Sequence, residues 1–153
     1  MTRPRPEMWA GPIYLDASAL VKLFVREPES DELNQALVGA EDVILSDLAL
    51  TEMASALGRR TREGVLTAME SRRLHGAAEK LASSCRRVEL TPPVHRRAER
   101  LLLTSRAVSL RALDALHIAM ALDADAATLV SYDPRLRDAA APQGLFIAPQ
   151  TLS

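Results

Sequence analysis

The chain has 153 residues, with 19 Lys plus Arg against 20 Asp plus Glu and a net charge of −1. That length suits one domain with a sizeable core, and the near-zero charge excludes binding to nucleic acid or an acidic membrane by bulk basicity. Aromatics at 3% exclude a single-strand binder built on stacked rings, and one Cys excludes an internal disulfide and a Cys-rich zinc site.

In chain order, residues 1–11 read as a mobile, Pro-containing tail in which Met8 is an alternative start and Trp9 a disordered residue or a docking point. Ile13 to Asp16 is a short apolar run that reads as a buried strand, followed by a helix from Ser18 to Arg26 and an acidic amphipathic helix from Glu29 to Val38. Val43 to Leu45 is a second strand. Ser46 or Asp47 then caps a helix over Leu48 to Arg60, since both side chains accept a hydrogen bond from a first-turn N–H.

Gly64 breaks that pattern, and Thr67 to Ser84 reads as a long helix. Arg87 to Leu90 is a weaker strand, Pro92-Pro93 opens a helix to about Leu103, and Leu110 to Leu122 is another. Thr128 to Ser131 is a strand, Pro134 to Ala140 a short helix and Leu145 to Ile147 a last strand. Short strands that are apolar on both faces and alternate with helices predict an α/β three-layer domain with a parallel sheet. No repeat or linker supports a second domain. No charge-free run reaches the ~18 apolar residues of a membrane span, and the first residues lack the apolar stretch of a secretion signal. A reduced, cytoplasmic domain is the expectation.

Most acids fall among other polar residues and read as solvated faces, Glu27, Glu29, Asp31 and Glu32 among them. Four do not. Asp16 is the only charge between Gly11 and Val21, Glu52 between Leu48 and Gly58, and Asp114 between Ala112 and Leu122, while Asp133 follows an uncharged run from Ala126. An ionised carboxylate in an apolar element is costly to desolvate and needs a partner. The predicted elements put all four near the carboxyl edge of the sheet, where open α/β folds bind ligands. Together they would repel one another and raise each other's pKa. A hard divalent cation resolves the conflict: Mg²⁺ takes a few carboxylates, keeps waters, and suits phosphodiester hydrolysis.

The same residues carry a family resemblance. Ile13-Tyr14-Leu15-Asp16-Ala17-Ser18-Ala19-Leu20-Val21-Lys22 resembles the opening motif of PIN domains, especially toxins of the VapC type. Ser46 to Leu57, with Glu52 as its acid, resembles the second motif, Leu113 to Ala119 the third, and Leu129 to Leu136 the fourth. The resemblance covers about Pro12 to Pro149 and implies a PIN-like fold over residues 12–150, with a mostly parallel sheet of about five strands flanked by helices. It implies a toxin of a type II toxin–antitoxin system: an endoribonuclease dependent on Mg²⁺ or Mn²⁺, homodimeric, and blocked by a cognate antitoxin protein. Carried over, Asp16, Glu52, Asp114 and Asp133 become the catalytic metal-binding acids, with Asp16 and Asp114 as direct ligands. Ser18 and Ser131 become supporting hydroxyls.

Beyond the motifs, Lys22, Arg59 and Arg135 are candidates for RNA phosphate contacts, and Arg60, Arg62 and Arg137 are similar. His117, one turn after Asp114, reads as a structural hydrogen-bonding group, and Cys85 as an inert thiol. Setting the four acids aside turns the net charge of −1 into +3, a mildly basic, Arg-rich remainder. Rival readings are a haloacid dehalogenase-like phosphatase, whose second Asp is here Ser18, and a receiver domain, which needs an acidic pair and a late Lys. A PIN-like module that binds RNA or a protein without cutting, and a housekeeping PIN nuclease, also stay open.

Overall fold

The computed structural model describes residues 8–106 and 109–152. Strand β1 (Ile13–Leu15) leads through α1 (Ala17–Phe24) and α2 (Ser30–Leu37) to β2 (Val43–Ser46). Helices α3 (Asp47–Arg62) and α4 (Ala68–Ser83) connect to β3 (Arg86–Val88), and α5 (Pro92–Thr104) and α6 (Ala112–Asp123) to β4 (Thr128–Val130). Helix α7 (Pro134–Ala140) and one turn of 3₁₀ helix precede β5 (Phe146–Ala148). The five strands are all parallel in the order β3-β2-β1-β4-β5.

Period-two alternation sorts the strand side chains. Ile13, Leu15, Leu45 and Val130 pack on one face under α1 to α4, whereas Tyr14, Ile44 and Leu129 pack on the other with Ile118, Met120 and Leu136 from α6 and α7. Because both faces are covered, the strands are apolar throughout rather than alternating. Five helices start where the sequence offers a side-chain acceptor: Asp16 caps α1, Ser46 caps α3, Thr67 caps α4 in a reciprocal pair with Glu70, Thr91 caps α5 and Asp133 caps α7. Gly64 ends the α3 region at φ 75°, a left-handed conformation that favours glycine.

The structure differs from the sequence reading at the tail and at the ends of several elements, among them the last strand, which starts one residue later than expected. Residues 1–7 of the expected tail lie outside the described residues, but Trp9 packs against the core and Ala10 accepts a 2.6 Å hydrogen bond from Thr128 Oγ1. An indole and a satisfied carbonyl hold this stretch on the sheet. The third strand starts one residue earlier, because Arg86 to Val88 pair with Ile44 to Ser46. Cys85 is half-buried and burial pushes its thiol up, which disfavours the reactive thiolate.

The order places β1 beside β4, the point where connections switch from one side of the sheet to the other, and the carboxyl ends of these two strands carry Asp16 and Asp133. The core on either side of that pair sets the geometry. Replacing Leu129, fully buried at the centre of β4, with Ala should cost about 2–5 kcal/mol of unfolding free energy in denaturant titration.

Candidate active site at the carboxyl edge of the sheet

Asp16 is the first residue after β1 and is 3% exposed. Its Oδ1 accepts from Ala19 N–H at 2.9 Å and from Ser18 Oγ at 2.7 Å, and its backbone N–H donates to Val130 O. Ser18 Oγ also accepts from Tyr132 N–H at 2.9 Å, so one hydroxyl ties the end of β1 to the end of β4. Ser131 is fully buried, hydrogen-bonds the Asp16 carboxylate, and accepts from Asp133 N–H at 3.1 Å. The two serines fix the orientation of Asp16 from both strands.

Asp114 stands in the first turn of α6, 7% exposed, with Oδ2 accepting from Arg111 N–H at 3.1 Å. Asp133 Oδ1 accepts from Arg135 N–H at 3.0 Å. Three carboxylates therefore sit at three helix N-termini, where the partial positive charge of the helix favours them. That is not enough to offset burial. Desolvation pushes the Asp16 carboxyl up, although the His117 charge and the bonds to Ser131, Ala19 and Ser18 oppose it. Desolvation also raises Asp114, and Asp133 repels it, while the Arg111 N–H, Arg135 and His117 oppose the rise. Among the described residues, Asp16, Asp114 and Asp133 have no Lys or Arg ion-pair partner.

Glu52, on the second turn of α3, takes a different partner. Its Oε1 lies 2.5 Å from His117 Nε2, and His117 Nδ1 lies 2.7 Å from Tyr14 Oη. Tyr14 donates onward to Ser46 Oγ at 3.1 Å, and Ser46 Oγ accepts from Ala49 N–H. The phenol proton is directed to Ser46, and each ring nitrogen of His117 has one hydrogen-bond partner, Tyr14 Oη on one side and the Glu52 carboxylate on the other. Sequence did not reveal the Glu52 partner.

Beside these groups runs an open groove of about 490 Å³, lined by Ser18, Glu52, Leu113 and Tyr132 and by the cations Lys22, Arg59 and Arg60. Lys22 is not free on its wall. It is nearly buried, paired with Glu27 at 2.7 Å and Glu29 at 3.6 Å, and lies 4.9 Å from the centre of the Tyr132 ring. Arg60 is held at 2.9 Å by the same Glu27. Glu27 and Glu29 therefore belong to a half-buried network, not to a solvated face, because the α1–α2 turn folds them back over Lys22. Arg59 is exposed on the rim with no acidic partner among the described residues. Arg135 lies close enough to Asp114 to lower its pKa. Arg137 binds the backbone carbonyls of Ser131, Pro149 and Gln150, which makes it a strut between the ends of β4 and β5.

The donor set suits a hard cation: Asp16 and Asp114 are buried, Asp133 repels Asp114, none of the three has a Lys or Arg ion-pair partner among the described residues, and Asp114 and Asp133 each keep one oxygen without a hydrogen bond from the described residues. Among the described residues, no group of three or more His, Cys, Asp and Glu side chains is drawn together closely enough to hold a metal by itself. Mg²⁺ tolerates this, since it binds through one or two carboxylates plus waters and substrate phosphate.

The PIN domain family model matches residues 13–142. The chain belongs to the PIN domain family. Within it, the chain is 39% identical to ribonuclease VapC46 of Mycobacterium tuberculosis (strain ATCC 25618 / H37Rv) over 90% of its own length and 97% of that protein. It is 35% identical to ribonuclease VapC45 of Mycobacterium tuberculosis (strain CDC 1551 / Oshkosh), covering 92% of this chain and 96% of that one. Among solved structures, VapC20 of Mycobacterium tuberculosis, described as a toxin that cleaves the sarcin–ricin loop, superposes with TM-score 0.66 at 18% identity, covering 83% of this chain and 94% of the other. FitAcB from Neisseria gonorrhoeae superposes with TM-score 0.68 at 18% identity, covering 88% and 95%. At those identities the superpositions show the fold. The receiver reading falls with this membership and with the sheet order, since receivers run 2-1-3-4-5.

The raised Asp16 carboxyl has a thermal consequence. In the metal-free protein the folded chain binds protons more tightly there than the unfolded chain, so this contribution to stability falls as pH rises through the folded-state pKa. Asp16→Asn keeps the N-cap and removes the charge. In EDTA at pH 7.5 it should melt at a higher temperature than the wild type. The gap should narrow at pH 5, measured by paired calorimetric melts.

Proposed function

We propose that the chain is the toxin component of a type II toxin–antitoxin system: an endoribonuclease that hydrolyses RNA phosphodiester bonds with the aid of Mg²⁺ or Mn²⁺. The observation that carries the reading is the pair of buried carboxylates, Asp16 and Asp114, with no Lys or Arg partner among the described residues, at the β1/β4 edge beside a groove rimmed by arginine. Family membership and the ribonuclease names of its relatives support the same chemistry.

Asp16 and Asp114 would hold the cation directly, with Asp133 and Glu52 completing the acidic set. When bound, the cation supplies Lewis acidity at phosphorus and lowers the pKa of an attacking water. The chain's own residues do the rest. Ser18 and Ser131 keep Asp16 in one rotamer, so it needs no reorganisation during the reaction. Arg59, exposed on the rim with no acidic partner among the described residues, and Arg135, beside Asp114, would meet RNA phosphates. Glu27 keeps Lys22 and Arg60 folded against the groove wall and out of that task.

The partners in this proposal are the RNA substrate, a cognate antitoxin protein and a second copy of the chain. The solved structure of VapBC2 from Rickettsia felis with a promoter DNA fragment, which shares the fold at TM-score 0.62 and 16% identity, is a two-component assembly by its name. No described helix is long and apolar enough to cross a membrane. A cytoplasmic location and a homodimer stay part of the proposal.

Purified protein should cut RNA in Mg²⁺ and stop in excess EDTA, and Asp16→Asn and Asp114→Asn should each reduce cleavage to background on a gel of labelled RNA. An Asp16→Asn protein that cuts at the wild-type rate contradicts the mechanism. Mg²⁺ at 100 times its dissociation constant should stabilise the wild type by about 2.7 kcal/mol and leave Asp16→Asn unshifted, read as melting temperature. Arg59→Ala should raise KM for RNA several-fold while kcat holds, and increasing salt should shrink the difference, in steady-state assays.

A further inference from the structure

We propose that His117, itself clamped by Tyr14, is a positioning residue that holds the Glu52 carboxylate in one orientation for the cleavage step, so that Glu52 works as a fixed acceptor beside the metal ligands rather than as one of them. This rests on the ribonuclease reading above and assigns Glu52 a role different from the family expectation of a fourth metal acid.

The geometry is a relay from the core to the groove. Ser46 and Tyr14 are fully buried, His117 is 3% exposed, and Glu52 emerges half-buried on the groove wall. The four residues come from β1, the end of β2, α3 and α6, so no local turn produces the alignment. Each link is anchored by the next. Ser46 Oγ is fixed by the first turn of α3, Tyr14 Oη by Ser46, the imidazole by Oη and by edge-on packing at 5.8 Å between ring centres, and Glu52 Oε1 by Nε2.

Burial pushes the Tyr14 phenol well above its ordinary range, so it stays a donor to Ser46 and an acceptor for His117. A Glu side chain at the edge of a groove otherwise samples several rotamers. Here Oε1 is committed to His117, and the other oxygen is left to accept from a water or a substrate hydroxyl. Asp16 is held by a backbone N–H group and a serine hydroxyl instead, and Asp114 by a backbone N–H group. Supporting groups of this kind typically contribute about 10- to 100-fold to activity when removed.

The test begins with wild-type cleavage of RNA in Mg²⁺; its absence would sink the ribonuclease reading, and its presence leaves the present proposal to stand or fall alone. Tyr14→Phe deletes a single oxygen and keeps the ring packing, and His117→Gln deletes the imidazole. Each should lower kcat about 10- to 100-fold with KM for RNA unchanged. Calorimetric Mn²⁺ affinity should also be unchanged, whereas Asp16→Asn should lose it. In a Glu52→Gln background neither substitution should lower kcat further, because there is no carboxylate left to position. The proposal is overturned if Tyr14→Phe costs the same factor with and without Glu52, or if Mn²⁺ affinity falls in step with kcat. Should His117→Gln fail to fold, Tyr14→Phe alone decides between these outcomes.

Discussion

Asp16 and Asp114 are buried carboxylates with no lysine or arginine paired to them among the described residues, and removing such charges from water is a cost the fold must offset. Helix N-termini, backbone N–H groups and two serine hydroxyls offset part of that cost, and a bound cation would offset the rest. Much of the architecture follows from this requirement. The β1/β4 switch point brings two strand ends together, Ser18 and Ser131 stitch them, and α6 delivers Asp114 to the same edge. The apolar layers above and below the sheet keep those ends from relaxing apart.

The basic residues obey a complementary division. Lys22 and Arg60 are neutralised by Glu27 and Glu29, and Arg137 is spent on backbone carbonyls. Arg59 keeps its charge for the solvent. A chain of near-zero net charge can therefore present an acidic pocket and a cationic rim, provided internal pairing decides which cations reach the surface. Arg86, paired with Asp42 at 3.1 Å, and Arg96, paired with Glu99 at 3.1 Å, show the same thinning of the apparent arginine excess elsewhere.

Much of the fold was legible because its signals are local. The alternation of short apolar strands with capped helices gave the elements in order, and the isolation of Asp16, Glu52, Asp114 and Asp133 in apolar surroundings marked the edge where they lie. What stayed hidden depends on contacts across the chain. Tyr14 stood inside a recognised motif without a role, although a phenol in a buried three-residue strand must find a partner, which was the available signal. The His117–Glu52 pair spans 65 residues and has no helical spacing to betray it. Glu27 and Glu29 looked solvated because their neighbours in sequence are acidic, while the partner that buries them is Lys22.

The proposal that Asp16 and Asp114 at the β1/β4 edge hold one hard cation is tested most directly by locating that cation. A crystal of the protein grown in MnCl₂ and measured above the manganese absorption edge should give an anomalous peak bridged by Asp16 and Asp114, with Glu52 still bound to His117. A peak at another surface, or saturating Mn²⁺ with no peak between these two carboxylates, would contradict the account.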